Sequence, residues 1–233
     1  MGYYKLNQLL KEIELSSIGQ ELLQKLLENV IYSSKRKISG QYTTPMFLAR
    51  LLVLLTLNNK TETLHDPCCG TGTIARATYD IKKEVGISTK ESLKSIFASD
   101  KVAFPLQMAT LAISEPTNFG EIIQVFKKDC SELSIGEDIE FRNPFDGSVI
   151  NRKYYKINNI ASNLPFIKQE DLKKLNPEIQ NKINKLLNEK FSKKDKLNEK
   201  SDLYAYLPFT FWDILSENGR LGIIVSNSWL GTD

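Results

Sequence analysis

The stretch Asp66-Pro67-Cys68-Cys69-Gly70-Thr71-Gly72-Thr73 lies between a strand-like run near residues 63–66 and a helix-like run that begins at about 73. Two glycines one residue apart at such a junction let the backbone turn tightly and approach a bound nucleotide-like ligand. No lysine follows the loop as a phosphate-binding P-loop requires, and the Gly-x-Gly-x-x-Gly spacing of dinucleotide folds is absent. Asp66, at the end of the strand, repels a pyrophosphate but suits a ligand that carries an ammonium or sulfonium charge.

Outward from this loop, short strand-like and helix-like pieces alternate. Strands are expected near 63–66, 95–99, 121–126, 156–161 and 220–226, with helices from about 73, from about 102 and over about 202–217. Such alternation argues for a parallel sheet wound with helices. The segment from Ile139 to Tyr155 interrupts it, and Asn143-Pro144-Phe145-Asp146-Gly147 reads as the turn of an inserted hairpin. On the other side, Thr44 as N-cap and Pro45 at the first helical position open an apolar, buried helix through about Leu57. Residues 2–34 read as helical, with Leu22, Leu23, Leu26, Leu27 and Val30 on one face, so 1–39 form an N-terminal helical segment ahead of an α/β domain over 40–233.

Composition narrows the function classes. The chain has 233 residues, 41% hydrophobic and 25% charged, with a formal net charge of +3, which suits one large globular domain. No run approaches the ~20 apolar residues of a membrane span, and Met1 to Leu10 lacks the unbroken apolar core of a secretory signal. A cytoplasmic location is therefore expected. Three cysteines without CxxC or Cys/His ligand spacing leave no disulfide framework and no structural zinc. A single histidine, His65, gives His-based hydrolysis a poor start. Residues 167–200 carry ten lysines against six acids. They read either as a solvated helix and loop or as a basic flap that meets phosphates.

Two more acids close strands. Ala98-Ser99-Asp100 ends the second strand about 30 residues after the glycine loop, where an acid accepts hydrogen bonds from ribose hydroxyls. Lys127-Lys128-Asp129-Cys130 ends the third, where an acid could face the amino group of a bound adenine. The fourth strand, Tyr155 to Ser162, ends in Asn163-Leu164-Pro165-Phe166.

That ending, with the glycine loop, resembles the adenine-N6 methyltransferases that use S-adenosylmethionine, whose fourth-strand motif is Asn or Asp, Pro, Pro, then Tyr or Phe. Gly40-Gln41-Tyr42-Thr43-Thr44-Pro45 looks like the segment these enzymes place before the glycine loop, and Gly219-Arg220-Leu221-Gly222-Ile223-Ile224-Val225 resembles their fifth strand. The motif order is similar to the modification subunits of type I restriction systems and to fused type II restriction and modification enzymes. The resemblance covers roughly residues 40–230.

It implies an α/β class I, Rossmann-like methyltransferase sheet, and transfer of a methyl group from S-adenosylmethionine to adenine N6 in DNA within a restriction–modification system. Tyr42, Thr44, Asp66, Cys68, Gly70, Gly72, Asp100 and Asp129 are the implied cofactor residues, and Asn163, Leu164, Pro165 and Phe166 the catalytic ones. The Asn163 carbonyl and the Leu164 backbone oxygen accept from the amino group of an extruded base on which Phe166 stacks. Both acceptors are neutral, so neither a covalent intermediate nor a metal is needed. Leu164 replaces the usual Pro, and a Pro there is expected to be tolerated.

Asn-Leu-Pro-Phe is also similar to the motif of ribosomal RNA adenine dimethyltransferases, which keeps RNA as an alternative substrate; a catalytically silent subunit of a restriction complex is another. Gly40 to Pro45 and Ser226-Asn227-Ser228-Trp229-Leu230 look like the DNA family. Pro67-Cys68 resembles the nucleophile of cytosine-C5 methyltransferases, but its place in the glycine loop turns it toward the cofactor. By resemblance the sheet is truncated after its fifth strand, so a specificity or restriction subunit, or a missing C-terminal recognition domain, is an expected partner alongside DNA.

Overall fold

The computed structural model describes residues 43–166 and 203–225, together with helical positions 181, 185, 188 and 189. Tyr42, the N-terminal helical segment, nearly all of the Lys-rich stretch and Ser226 to Leu230 lie outside the described residues.

Helix α1 (Met46–Thr56) precedes strand β1 (Leu64–Asp66), and the glycine loop then leads into α2 (Thr73–Glu84). A short α3 (Thr89–Lys94), β2 (Ile96–Asp100), α4 (Ala103–Ile113) and β3 (Val125–Lys127) follow. The chain then makes a ribbon, β4 (Asp138–Arg142) and β5 (Val149–Lys153), before β6 (Ile157–Asn163), α5 (Leu203–Phe211) and β7 (Leu215–Ile224). The main sheet has the order β3-β2-β1-β6-β7 with every described pairing parallel, whereas β4 and β5 pair antiparallel beside it. All residues of β1 and β2 are buried, as expected of parallel strands covered on both faces.

Two layers cover the sheet. On one face Ala49, Leu52 and Val53 of α1 pack with Ile74, Ala77 and Ile81 of α2, over Leu64 and Ala161. On the other, Phe97, Phe126, Ile157 and Ile160 meet Phe141 and Tyr154 of the ribbon and Leu207 and Phe211 of α5. Buried Lys82 fixes the entry to β1: its ammonium donates to the Lys60 and Glu62 carbonyls at 2.6 and 2.7 Å. Asn158 of β6 accepts from both the N–H and the hydroxyl of Thr63.

The structure moves several expected boundaries. The third strand starts later, because Glu121 closes a turn onto the Asn118 carbonyl and sheet pairing begins where Ala98 N–H meets the Gln124 carbonyl at 3.0 Å. The last helix stops at Phe211, where the Ile214 carbonyl is drawn into the sheet by the Ile157 N–H at 2.9 Å. α1 is not wholly buried: Phe47 and Leu55 are 75% and 70% exposed. Its N-cap is Pro45, without a side-chain bond, so the expected cap Thr44 is displaced from that task.

Candidate active site

In sheets of this order the chain leaves β1 in one direction toward β2 and β3 and returns on the other side as β6. The resulting crevice at the carboxyl ends of β1 and β6 is where open α/β folds take ligands. The structure brings Asp66, the glycine loop, Asp100 and Asn163 to the carboxyl ends of these adjacent strands.

The loop is held by β2. Cys69 N–H donates to the Ser99 carbonyl at 2.9 Å, and Gly70 N–H donates to Oδ2 of Asp100 at 3.1 Å. The other Asp100 oxygen accepts from Val102 N–H at 2.9 Å. Each oxygen thus holds one N–H and keeps acceptor capacity for a ligand. Burial raises the Asp100 carboxyl above its usual range, against these two backbone donors. Gly70 takes φ +50 with nothing within 4 Å of the place a Cβ would occupy, so it borders open space. Gly72 serves another purpose. At φ +85 it caps α2, and a Cβ would stand 2.6 Å from Cα of Ala109, so the residue lets α2 approach α4.

Asp66 is 1% exposed and accepts from the Ser162 hydroxyl at 2.7 Å and from Cys68 N–H at 3.3 Å, both on Oδ1. Burial pushes its carboxyl up to about 7, and the charge of Asp100 adds to the rise. Two buried acids in each other's field, both raised above their ordinary range, favour a cationic ligand there. Half-buried Cys68 leans on Cys130, and contact between the two thiols together with burial raises the Cys68 thiol well above its ordinary value. Asp129, at the end of the β3 segment, caps a short turn by accepting from the N–H and the hydroxyl of Ser131 at 3.0 and 2.8 Å.

At the head of the tetrapeptide, Nδ2 of Asn163 donates to the Thr44 hydroxyl at 3.0 Å. Leu164 is buried in the core and its N–H reaches the Ile224 carbonyl at 3.4 Å. Phe166 is partly buried and meets Tyr204 of α5 edge-on, with ring centroids 6.1 Å apart. Neither Ser162 nor Cys130 carries a role in the motifs read from the sequence; for Ser162 the available signal is a serine in a parallel strand, directly ahead of Asn163.

Below the site lies His65, fully buried, with Nδ1 against the Tyr154 hydroxyl at 2.7 Å and Nε2 against the Ser99 hydroxyl at 3.0 Å. Burial lowers it to about 3, so it is a neutral core residue. Asn143 accepts from Phe145 N–H through its side chain and closes the ribbon turn onto Gly147 and Ser148, which makes Asn143-Pro144-Phe145 a turn and not a second catalytic motif.

A parallel sheet in this strand order, with a glycine turn and acids at its strand ends, is the class I methyltransferase fold. The chain belongs to the N-6 DNA Methylase family, whose model matches residues 20–232. It is 25% identical over 199 residues to the type II methyltransferase M.AccI of Acinetobacter calcoaceticus, a match that takes in 85% of the chain and 30% of that relative's length. Among solved structures it is similar to a protein of Listeria monocytogenes described as a class I S-adenosylmethionine-dependent methyltransferase (TM-score 0.58, 16% identity, 98% of this chain and 61% of that one). It is likewise similar to the DrdV–DNA complex (TM-score 0.61, 17% identity, 93% and 24%). These likenesses bear on the fold. Among the described residues no helix is long and apolar enough to cross a membrane, and no group of three potential ligands could hold a metal.

Proposed function

We propose that the chain transfers a methyl group from S-adenosylmethionine to N6 of adenine in DNA, as the catalytic part of a restriction–modification system. The observation that carries the reading is the placement of Asn163-Leu164-Pro165-Phe166 at the end of β6, beside the acid-lined end of β1, in a member of the N-6 DNA Methylase family. The residues fit the cofactor. Gly70 borders open space, Asp100 keeps acceptor capacity suited to ribose hydroxyls, and Asp66 offers a carboxyl for the cationic methionyl end. When bound, the cofactor supplies an electrophilic methyl group. Cys68 and Asp129 belong to the same proposed pocket, Thr44 through its hold on Asn163 and Gly72 through its shaping of the loop, and Tyr42 completes it by resemblance.

The protein's own task is to make N6 a nucleophile. Its lone pair is delocalised into the ring, and acceptors on the amino hydrogens draw it back toward nitrogen. The Asn163 carbonyl is one acceptor; the Leu164 backbone oxygen is the second. With Nδ2 committed to Thr44, the amide presents its oxygen to the base. Phe166, buttressed edge-on by Tyr204, stacks on the flipped adenine. Both acceptors are uncharged, so the amino group sheds its proton to solvent after transfer. DNA, and a specificity or restriction partner, are the proposed associations, and a cytoplasmic location follows from them.

The test is incubation with labelled S-adenosylmethionine and either duplex DNA or RNA, followed by nucleoside digestion and mass spectrometry. N6-methyldeoxyadenosine that disappears in Asn163→Ala, with cofactor affinity kept, is the expected result. Label confined to RNA moves the substrate, and label in neither while cofactor binds turns the chain into a silent subunit.

A further inference from the structure

Ser162 stands outside every motif named above, yet it joins the two halves of the site. It is fully buried on β6, between Ala161 and Asn163. Its hydroxyl donates across to β1, onto Oδ1 of Asp66 at 2.7 Å, and the Cys68 N–H reaches the same oxygen at 3.3 Å. Among the described residues both hydrogen bonds to this carboxyl therefore fall on one oxygen. A carboxyl pinned at one oxygen by donors from two different segments cannot rotate without breaking them, so the direction of Oδ2 is set. The next residue in the strand, Asn163, is itself tied to Thr44.

We propose that Ser162 is a positioning residue that holds Asp66 with Oδ2 toward the cationic methionyl end of the methyl donor. The inference deepens the function proposed above and rests on it. The groups acting on Asp66 are the Ser162 hydroxyl from β6, the Cys68 backbone in the loop and the Asp100 carboxyl from β2, with the neighbouring Cys68 and Cys69 thiols in the field of both acids. None of these groups is cationic. The hydroxyl is the strongest of the influences that favour the ionised carboxylate, and burial and Asp100 oppose it. Removing that donor costs the site twice, in the orientation of the carboxyl and in the pH at which it is charged.

The experiment is calorimetric titration of S-adenosylmethionine, between about pH 5.5 and 8.5, into wild type, Ser162→Ala, Ser162→Cys, Asp66→Asn and the double variant Asp66→Asn/Ser162→Ala. Melting curves of each variant accompany it. Ser162→Ala is expected to weaken binding roughly tenfold near neutrality, the loss of one hydrogen bond to a charged group, and to move the midpoint of the pH dependence upward. Ser162→Cys, which keeps the shape and a weak donor at a slightly larger volume, is expected to fall between and carries the comparison if Ser162→Ala does not fold. In the Asp66→Asn background, removal of the hydroxyl is expected to change affinity less than about twofold, because its effect acts through the carboxylate. An equal loss in both backgrounds, or an unmoved pH midpoint, overturns the positioning role and leaves the proposed function standing. A wild-type protein that does not bind S-adenosylmethionine overturns both.

Discussion

Asn163 and Thr44, 119 positions apart in the chain, are joined by a 3.0 Å hydrogen bond from the amide of one to the hydroxyl of the other. The residue that heads the proposed catalytic tetrapeptide is thus oriented by the segment that leads into α1, and the hydroxyl expected to cap that helix is spent on orienting it.

Thr44→Val keeps the shape and removes the acceptor. Loss of one partly buried hydrogen bond of about 0.5 to 1.5 kcal/mol predicts a roughly 2- to 10-fold fall in methyl transfer, with S-adenosylmethionine affinity nearly unchanged. Steady-state kinetics beside calorimetric cofactor titration separates this from direct contact of Thr44 with the cofactor, in which case affinity falls first.

The two loop glycines are expected to respond differently to alanine. Both have positive φ, which costs roughly 1–2 kcal/mol for a residue with a side chain. Only at Gly72 does the new methyl also collide with Ala109, whereas Gly70 faces open space. Gly72→Ala should therefore lower the melting temperature more than Gly70→Ala, and Gly70→Ala should lose cofactor affinity beyond its small loss of stability. Equal melting temperatures would contradict the packing role of Gly72.

Stability should tilt with pH in opposite directions when either of two neighbours is removed. Asp66, raised by burial from 3.8 to about 7, contributes stability that is full below pH 3.8 and is lost as pH rises through about 7. His65, lowered by burial from 6.5 to about 3, does the reverse: its contribution is full above pH 6.5 and is lost as pH falls toward 3. Between pH 3.8 and 6.5 the two slopes oppose, each at most about 1.4 kcal/mol per pH unit. Asp66→Asn is expected to leave a protein that weakens toward acid, and His65→Phe one that weakens toward neutrality. Denaturant melts at about pH 4.5 and 6.5 read the difference in slope, and parallel profiles would show that neither group keeps its shift in the folded state.

Much of the fold was legible because its signals are local. The glycine turn after β1, acids at the ends of successive strands and an Asn-x-Pro-Phe ending are all written within a few residues of the elements they mark. What escaped the sequence depends on partners far along the chain. Thr44 looked like a helix cap because its neighbour is Pro45, and only the fold sets Asn163 beside it. Ser162 carried no meaning until β6 lay against β1. Leu164 looked replaceable by proline because a backbone oxygen was the group of interest. The structure corrects this: the side chain is 1% exposed and the N–H points to Ile224, so a proline there removes both a packed leucine and a donor to the sheet. The extent of α5 was misjudged for the same reason, since the pairing that ends it belongs to β6.

The ribbon between β3 and β6 looks at first like a decoration that a protein engineer would trim to make a smaller catalytic unit. Its foot argues otherwise. Tyr154, directly after β5, supplies the hydroxyl for His65 in the middle of β1, and Phe141 of β4 lies edge-on to Phe126 of β3 at 5.7 Å. Cutting the ribbon away would strip His65 of one of its two hydrogen-bond partners one residue from Asp66 and open the aromatic layer under the sheet. The ribbon and the candidate site are therefore one mechanical unit, so a shortened version of this protein that keeps the site should also keep the ribbon's foot through Tyr154 and lose at most the ribbon's tip.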